Sequence, residues 1–159
     1  MAHVLLGDGS VESNGYQYDI SIQTGMWNDF GTTAKVGMII SGKEGSSNVL
    51  SLNDMPISRR FFSRASVNNF TIFVKKPLGD LTGVYVWHDN SGRRPSWYLQ
   101  QILITDVQTK REWYFFANQW LALDKGAGVT QLHLKVRYFI SSAKISILLL
   151  KHKYFEGSS

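Results

Sequence analysis

The residues best equipped for chemistry in this chain stand in one stretch, "VWHDNSGRRPSWYL", residues 86–99. His88 and Asp89 are neighbours, Ser91 and Ser96 follow, and Arg93 and Arg94 lie between the two serines. Histidine, aspartate and serine together invite a hydrolytic reading. A catalytic triad needs a carboxylate that orients the imidazole from the side and a serine held on a strained turn. Adjacent residues on an extended backbone point to opposite faces, so His88 and Asp89 do not meet that need. The sequence has no HExxH, P-loop, GxGxxG or GxSxG pattern, and its other histidines, His3, His133 and His152, are scattered. Turn chemistry accounts for the stretch better. Asp and Asn side chains bond nearby backbone amides, Gly accepts a positive φ, and Pro95 fixes the approach to the next strand. The motif reads as a structural corner that presents two arginines, and the chain as a non-enzyme.

The elements that must hold this corner are short and of one kind. "YQYDISIQT" (16–24) alternates, with Tyr16, Tyr18, Ile20 and Ile22 on one face. "TAKVGMIISG" (33–42), "NNFTIFVKKP" (68–77), "GVYVWHDN" (83–90), "WYLQQILITDV" (97–107), "REWYFFANQWL" (111–121) and "QLHLKVRYFI" (131–140) follow between Gly, Asn, Asp and Pro punctuation. Seven or more such runs, with no helical period before residue 140, predict an all-β sandwich. Trp97, Leu99 and Ile102 read as core, with Leu103 buried beyond a register shift. Residues 139–155 fit either an edge strand or a terminal helix. Residues 1–15 read as a flexible N-terminal segment.

The chain has 159 residues, enough for one domain with a usable core, and no cysteine. The latter fits a reducing compartment and excludes cysteine-ligated zinc. No secretory signal is evident, and the longest apolar run, "ISILLL" (145–150), is too short to span a bilayer. A soluble domain is therefore expected.

The formal net charge of +5 is unevenly spread. Residues 1–34 hold four acids and no Lys or Arg, whereas residues 35–111 hold eleven Lys/Arg and five acids. A basic middle suggests an anionic partner. The basic candidates are Lys35, Lys43, Arg59, Arg60, Arg64, Lys75, Lys76, Arg93, Arg94, Lys110 and Arg111, with Phe61 and Phe62 beside the first arginine pair. "GMWNDFG" (25–31) adds Met26, Trp27 and Phe30 on a loop between two strands, where an indole can enter a membrane interface. Trp27 folding back over the core is the alternative. A nucleic-acid partner is disfavoured, because the aromatics fall at strand positions and do not interleave with the basic pairs.

These landmarks carry a resemblance. "TG…GTTA" (24–34), "LG" (78–79), "WHDNSG" (87–92), "PSWYL" (95–99), "ITDVQT" (104–109) and "WYFFANQWLA" (113–122) resemble a PLAT, or lipoxygenase homology (LH2), domain, most like that of the large receptor-like polycystins. The likeness spans residues 16–128, leaving 129–159 as a last strand and C-terminal extension. It implies two packed four-stranded antiparallel sheets with no catalysis of their own. It also implies a module on the cytoplasmic side of a membrane, within a larger membrane protein, that binds anionic phospholipids and membrane-associated or regulatory proteins. Two alternatives stand beside this: a protein-docking domain for an acidic partner, and the regulatory domain of a lipid-metabolising enzyme. Calcium is the candidate cofactor, since relatives hold it in loops at one end. Their Gly-Thr-Asp reads Gly31-Thr32-Thr33 here, so the expected ligands are Asp29, the carbonyls of Gly31 and Thr33, and Asn53-Asp54. Hard cations need several such oxygens.

Overall fold

A computed structural model describes residues 4–6 (backbone only), 15–27, 29–52 and 62–141. Its strands are β1 (Val4–Leu6), β2 (Tyr16–Thr24), β3 (Val36–Gly42), β4 (Gly45–Ser46), β5 (Leu50–Ser51), β6 (Val67–Val74), β7 (Leu81–His88), β8 (Trp97–Asp106), β9 (Arg111–Leu121), β10 (Gln131–Lys135) and β11 (Tyr138–Ile140). Burial follows the period-2 pattern: along β2, Tyr18, Ile20, Ile22 and Thr24 are buried, and Gln17, Asp19, Ser21 and Gln23 only partly so.

Two sheets result, in the orders β1-β6-β2-β8-β9-β11 and β10-β7-β3-β4, with β5 also pairing β3. All pairings are antiparallel except β1 on β6. The four-stranded expectation is thus met by β6-β2-β8-β9, with short strands added at both edges. Val4–Leu6, inside the segment expected to be flexible, forms one of those edges. Residues 131–140 divide into β10 and β11, which lie in different sheets. Phe139 and Ile140 take the edge-strand option on β9; residues 142–155 lie outside the described residues.

The core runs between the sheets, from Tyr18, Ile20, Ile22, Phe70, Ile72, Ile102, Ile104 and Phe115 on one side to Val36, Met38, Ile40, Val84 and Val86 on the other. One burial expectation fails. Against β2 the register shifts, with Thr24 opposite Leu99 but Gln23 opposite Gln101, so β8 carries one extra residue there; the inward phase moves to Ile102 and Ile104 and leaves Leu103 only part-buried. A bulge inserts one residue on one strand and reverses the side-chain phase beyond it.

The connections sort to two ends. Strands β2, β7 and β9 finish, and β3, β6, β8 and β10 begin, at one end. Loops 25–35, 62–66, 89–96 and 122–130 therefore gather there. The turns at 43–44, 75–80 and 107–110 lie at the other end, where Asp106 is buried and accepts hydrogen bonds from Tyr16 Oη (2.6 Å), Gln108 N (3.0 Å) and Thr109 N (3.1 Å). No helix among the described residues is long and apolar enough to cross a membrane.

Candidate functional site at the loop end

The "WHDNSG" corner closes the loop end from within. His88, at the end of β7, is buried. Its Nδ1 accepts the Asn90 amide at 3.0 Å, which leaves Nε2–H to donate to the Leu121 carbonyl at 2.8 Å. Asp89 turns outward. Its Oδ1 accepts the amides of Lys35 and Ser91, each at 3.0 Å, and the Ser91 hydroxyl. The Ser91 hydroxyl bond, ahead of the backbone amides, holds the Asp89 carboxyl below its ordinary range. Both ring nitrogens of His88 and the Asp89 carboxylate are thus committed to the fold, and nothing joins them as base and orienter. Ser96 donates instead to Asp124 at 2.6 Å.

The neighbouring loops are tied to this corner. Thr33 N donates to the Arg94 carbonyl, and Arg94 N donates to Thr33 Oγ1, each at 3.0 Å. Gly92, with φ +80°, permits this approach, because a Cβ there would lie 2.3 Å from Thr33 Oγ1. Thr32 Oγ1 donates to the Pro95 carbonyl at 2.7 Å. Gly25 N donates to Tyr98 O and Tyr98 N to Phe30 O, which fastens both ends of the apolar loop to β8. Phe30 then stacks on Tyr98 at 4.4 Å and meets Trp120 edge-on at 4.9 Å. The result is a rigid aromatic base under the loop tip.

What the base presents is unusual. Met26 and Trp27 are 68% and 75% exposed, and Leu123, on the 122–130 loop of the same end, is 62% exposed. Trp27 therefore does not fold back over the core. Around these apolar side chains stand Lys35, Arg64, Arg93, Arg94 and Lys125, all exposed. Lys125 lies over the Trp120 ring at 4.5 Å. Among the described residues three carboxylates share this end: Asp89 and Asp124, already named, and Asp29, which holds Arg94 Nη1 at 3.2 Å.

The expected site residues do not all come together. Trp27, Phe30, Lys35, Arg64, Arg93 and Arg94 meet at the loop end. Lys75 and Lys76 fall at the other end, after β6, with Lys43 and Arg111, both of which pair with Asp80. Phe62, expected as a headgroup contact, is corrected: it is fully buried and packs on Trp97 at 5.0 Å and Phe70 at 6.1 Å. Its backbone carbonyl accepts Thr32 N, which holds it inward. Arg59, Arg60, Asn53 and Asp54 lie outside the described residues. Of the expected calcium ligands, Asp29, Gly31 and Thr33 are described. They offer one carboxylate, already holding a guanidinium, and the backbone carbonyls of Gly31 and Thr33. Among the described residues no three acidic or histidine side chains converge to hold a metal, so this part of the set does not by itself make a calcium site. Leu123 and Lys125 escaped the sequence reading, although the Gly-rich "LALDKGAG" following β9 marks that loop.

The PLAT/LH2 domain family model matches residues 18–132. The chain belongs to the PLAT/LH2 family. As a PLAT domain it is 40% identical over 114 residues to mouse polycystin-1-like protein 3, covering 72% of this chain and 5% of that protein. It is 36% identical over 112 residues to human polycystin-1, covering 70% of this chain and 2% of that protein. A mouse lipoxygenase homology domain-containing protein 1 is 38% identical over 116 residues, covering 70% of this chain and 5% of that protein. The chain thus spans a small fraction of these relatives. Among solved structures, a coral 8R-lipoxygenase matches the fold with a TM-score of 0.63 at 21% identity, over 76% of this chain and 17% of that one. That coral enzyme is activated by calcium through a C2-like domain.

Proposed function

We propose that this PLAT domain is a non-catalytic membrane-docking module that uses its loop end to bind anionic phospholipid surfaces. The observation that carries this reading is the exposure of Met26 and Trp27 on a loop whose base is rigid. Charge alone does not choose an end, because Lys75 and Lys76 are also exposed at the opposite one. Apolar exposure supports the loop end. Five described cations against three carboxylates at the loop end contribute on the order of 2 kcal/mol near an anionic leaflet. Met26, Trp27 and Leu123 add roughly 1.5–3 kcal/mol each where a side chain leaves water fully. Insertion therefore dominates affinity, and the cations set lipid preference and on-rate.

In this reading the domain sits on the cytoplasmic face of a larger membrane protein, where anionic phosphatidylserine and phosphoinositides supply the surface. The lack of cysteine fits that compartment. The polycystin relatives support a membrane setting. Calcium is not a required part of the docking. Co-sedimentation with phosphatidylserine vesicles and with phosphatidylcholine vesicles tests the reading. Strong binding to the former, weakened by salt, is expected; equal binding to both would contradict the electrostatic part.

A further inference from the structure

We infer that Arg94 serves the loop end as a built-in counter-cation, so that docking is indifferent to calcium. The inference rests on the membrane-docking reading and concerns the regulation of that same surface. Asp29 stands in left-handed backbone, with φ +67°, between the exposed Trp27 and the Phe30 base. An uncompensated carboxylate there would face an anionic leaflet at close range, and like charges repel. Something must neutralise it before the tip can dock.

The fold supplies that charge from the neighbouring loop. Arg94 is held at its backbone by two hydrogen bonds to Thr33, one from its own N–H and one to its carbonyl. The Thr33 hydroxyl is spent on this clasp. From that fixed point the guanidinium reaches Asp29 Oδ1 at 3.2 Å. The side chains are 77% and 67% exposed, so the pair is weak in water. It strengthens when the tip meets the lower dielectric of the interface. Among the described residues the other two carboxylates of this end are already engaged: Asp89 accepts two amides and a hydroxyl, and Asp124 accepts the Ser96 hydroxyl. Arginine also keeps a second edge of donors for a headgroup phosphate, so one side chain cancels the acid and contacts lipid.

The experiment compares the wild type, Arg94→Gln and the double variant Arg94→Gln/Asp29→Asn. Each is sedimented with phosphatidylserine vesicles in calcium and in EGTA, and titrated with calcium alone by calorimetry. Wild type is expected to bind vesicles within about twofold in the two conditions and to show no calcium binding tighter than the weak, about millimolar, class. Arg94→Gln should bind worse in EGTA and recover in calcium. The double variant should lose that calcium response, which separates Asp29 from general calcium bridging of lipid. Wild-type vesicle binding that disappears in EGTA, tight calcium binding by the wild type, or an Arg94→Gln variant that stays indifferent to calcium would overturn the inference. If no variant binds vesicles, the docking reading fails, and the calorimetric comparison still tests the Arg94–Asp29 pair.

Discussion

The indole nitrogen of Trp97 donates a hydrogen bond to the Thr24 hydroxyl at 2.9 Å, between two fully buried side chains 73 residues apart. It joins the start of β8 to the end of β2 beneath the loop end. The indole also packs on Phe62. Cutting Trp97 to alanine removes a large core aromatic and strands a buried hydroxyl, so a loss of about 3–5 kcal/mol is expected. Thr24→Val should cost about 1–3 kcal/mol, because the indole N–H is left unpaired. Chemical denaturation of both variants checks the order.

Trp27 predicts the opposite behaviour. It is an exposed indole on a loop, so Trp27→Ala should change stability by no more than about 0.5 kcal/mol. Vesicle affinity should fall about tenfold or more, and by more than for Arg93→Ala, given the larger apolar contribution. Thermal melts and vesicle titrations of the two variants decide the matter. A Trp27→Ala protein that melts several degrees lower and binds normally would make Trp27 a cap on the core.

The His88-Asp89 corner predicts a structural phenotype. Asp89→Ala removes the acceptor of two amides and a hydroxyl and should lower stability by about 1–2 kcal/mol, read as a melting point several degrees lower. No ester hydrolysis should be measurable in the wild type. Hydrolysis abolished by His88→Ala would reverse the assignment.

Asp106 predicts the acid limb of stability. Burial pushes its carboxyl up, but the bonds from Tyr16, Gln108 and Thr109 outweigh this and hold it below the usual range. A depressed folded-state pKa gives stability that is fully present above the unfolded value, near about 4, and lost as pH falls through the folded value. Tyr16, pushed up to about 12 chiefly by burial and then by Asp106, adds stability below about pH 10 that is lost as pH rises through about 12. Asp106→Asn should lower the melting point at neutral pH and flatten its decline in acid.

The sheets were legible in the sequence because one face of each strand is buried, and alternation records that directly, as in Tyr18, Ile20 and Ile22. Leu103 misled because the extra residue after Leu99 is set by the pairing with β2 and leaves no mark in composition. Phe62 misled because "SRRFFSR" looks amphipathic, while its inward turn depends on contacts with Trp97 and Thr32, distant in sequence. The tip loop was legible as an apolar run between glycines. Which cations stand beside it was not, since Lys75 and Lys76 differ from Arg93 and Arg94 only in the end of the sandwich that topology gives them.

The central claim is that the loop end, and not the opposite end, meets the membrane. The absence of cysteine allows a direct test. A single cysteine is introduced at Met26→Cys, at the exposed tip, or at Thr82→Cys, exposed at the start of β7 at the far end. Each carries a polarity-sensitive fluorophore, and its emission is recorded with phosphatidylserine vesicles. The account predicts a blue shift from position 26 and none from position 82. A blue shift at position 82 with position 26 unchanged would contradict it.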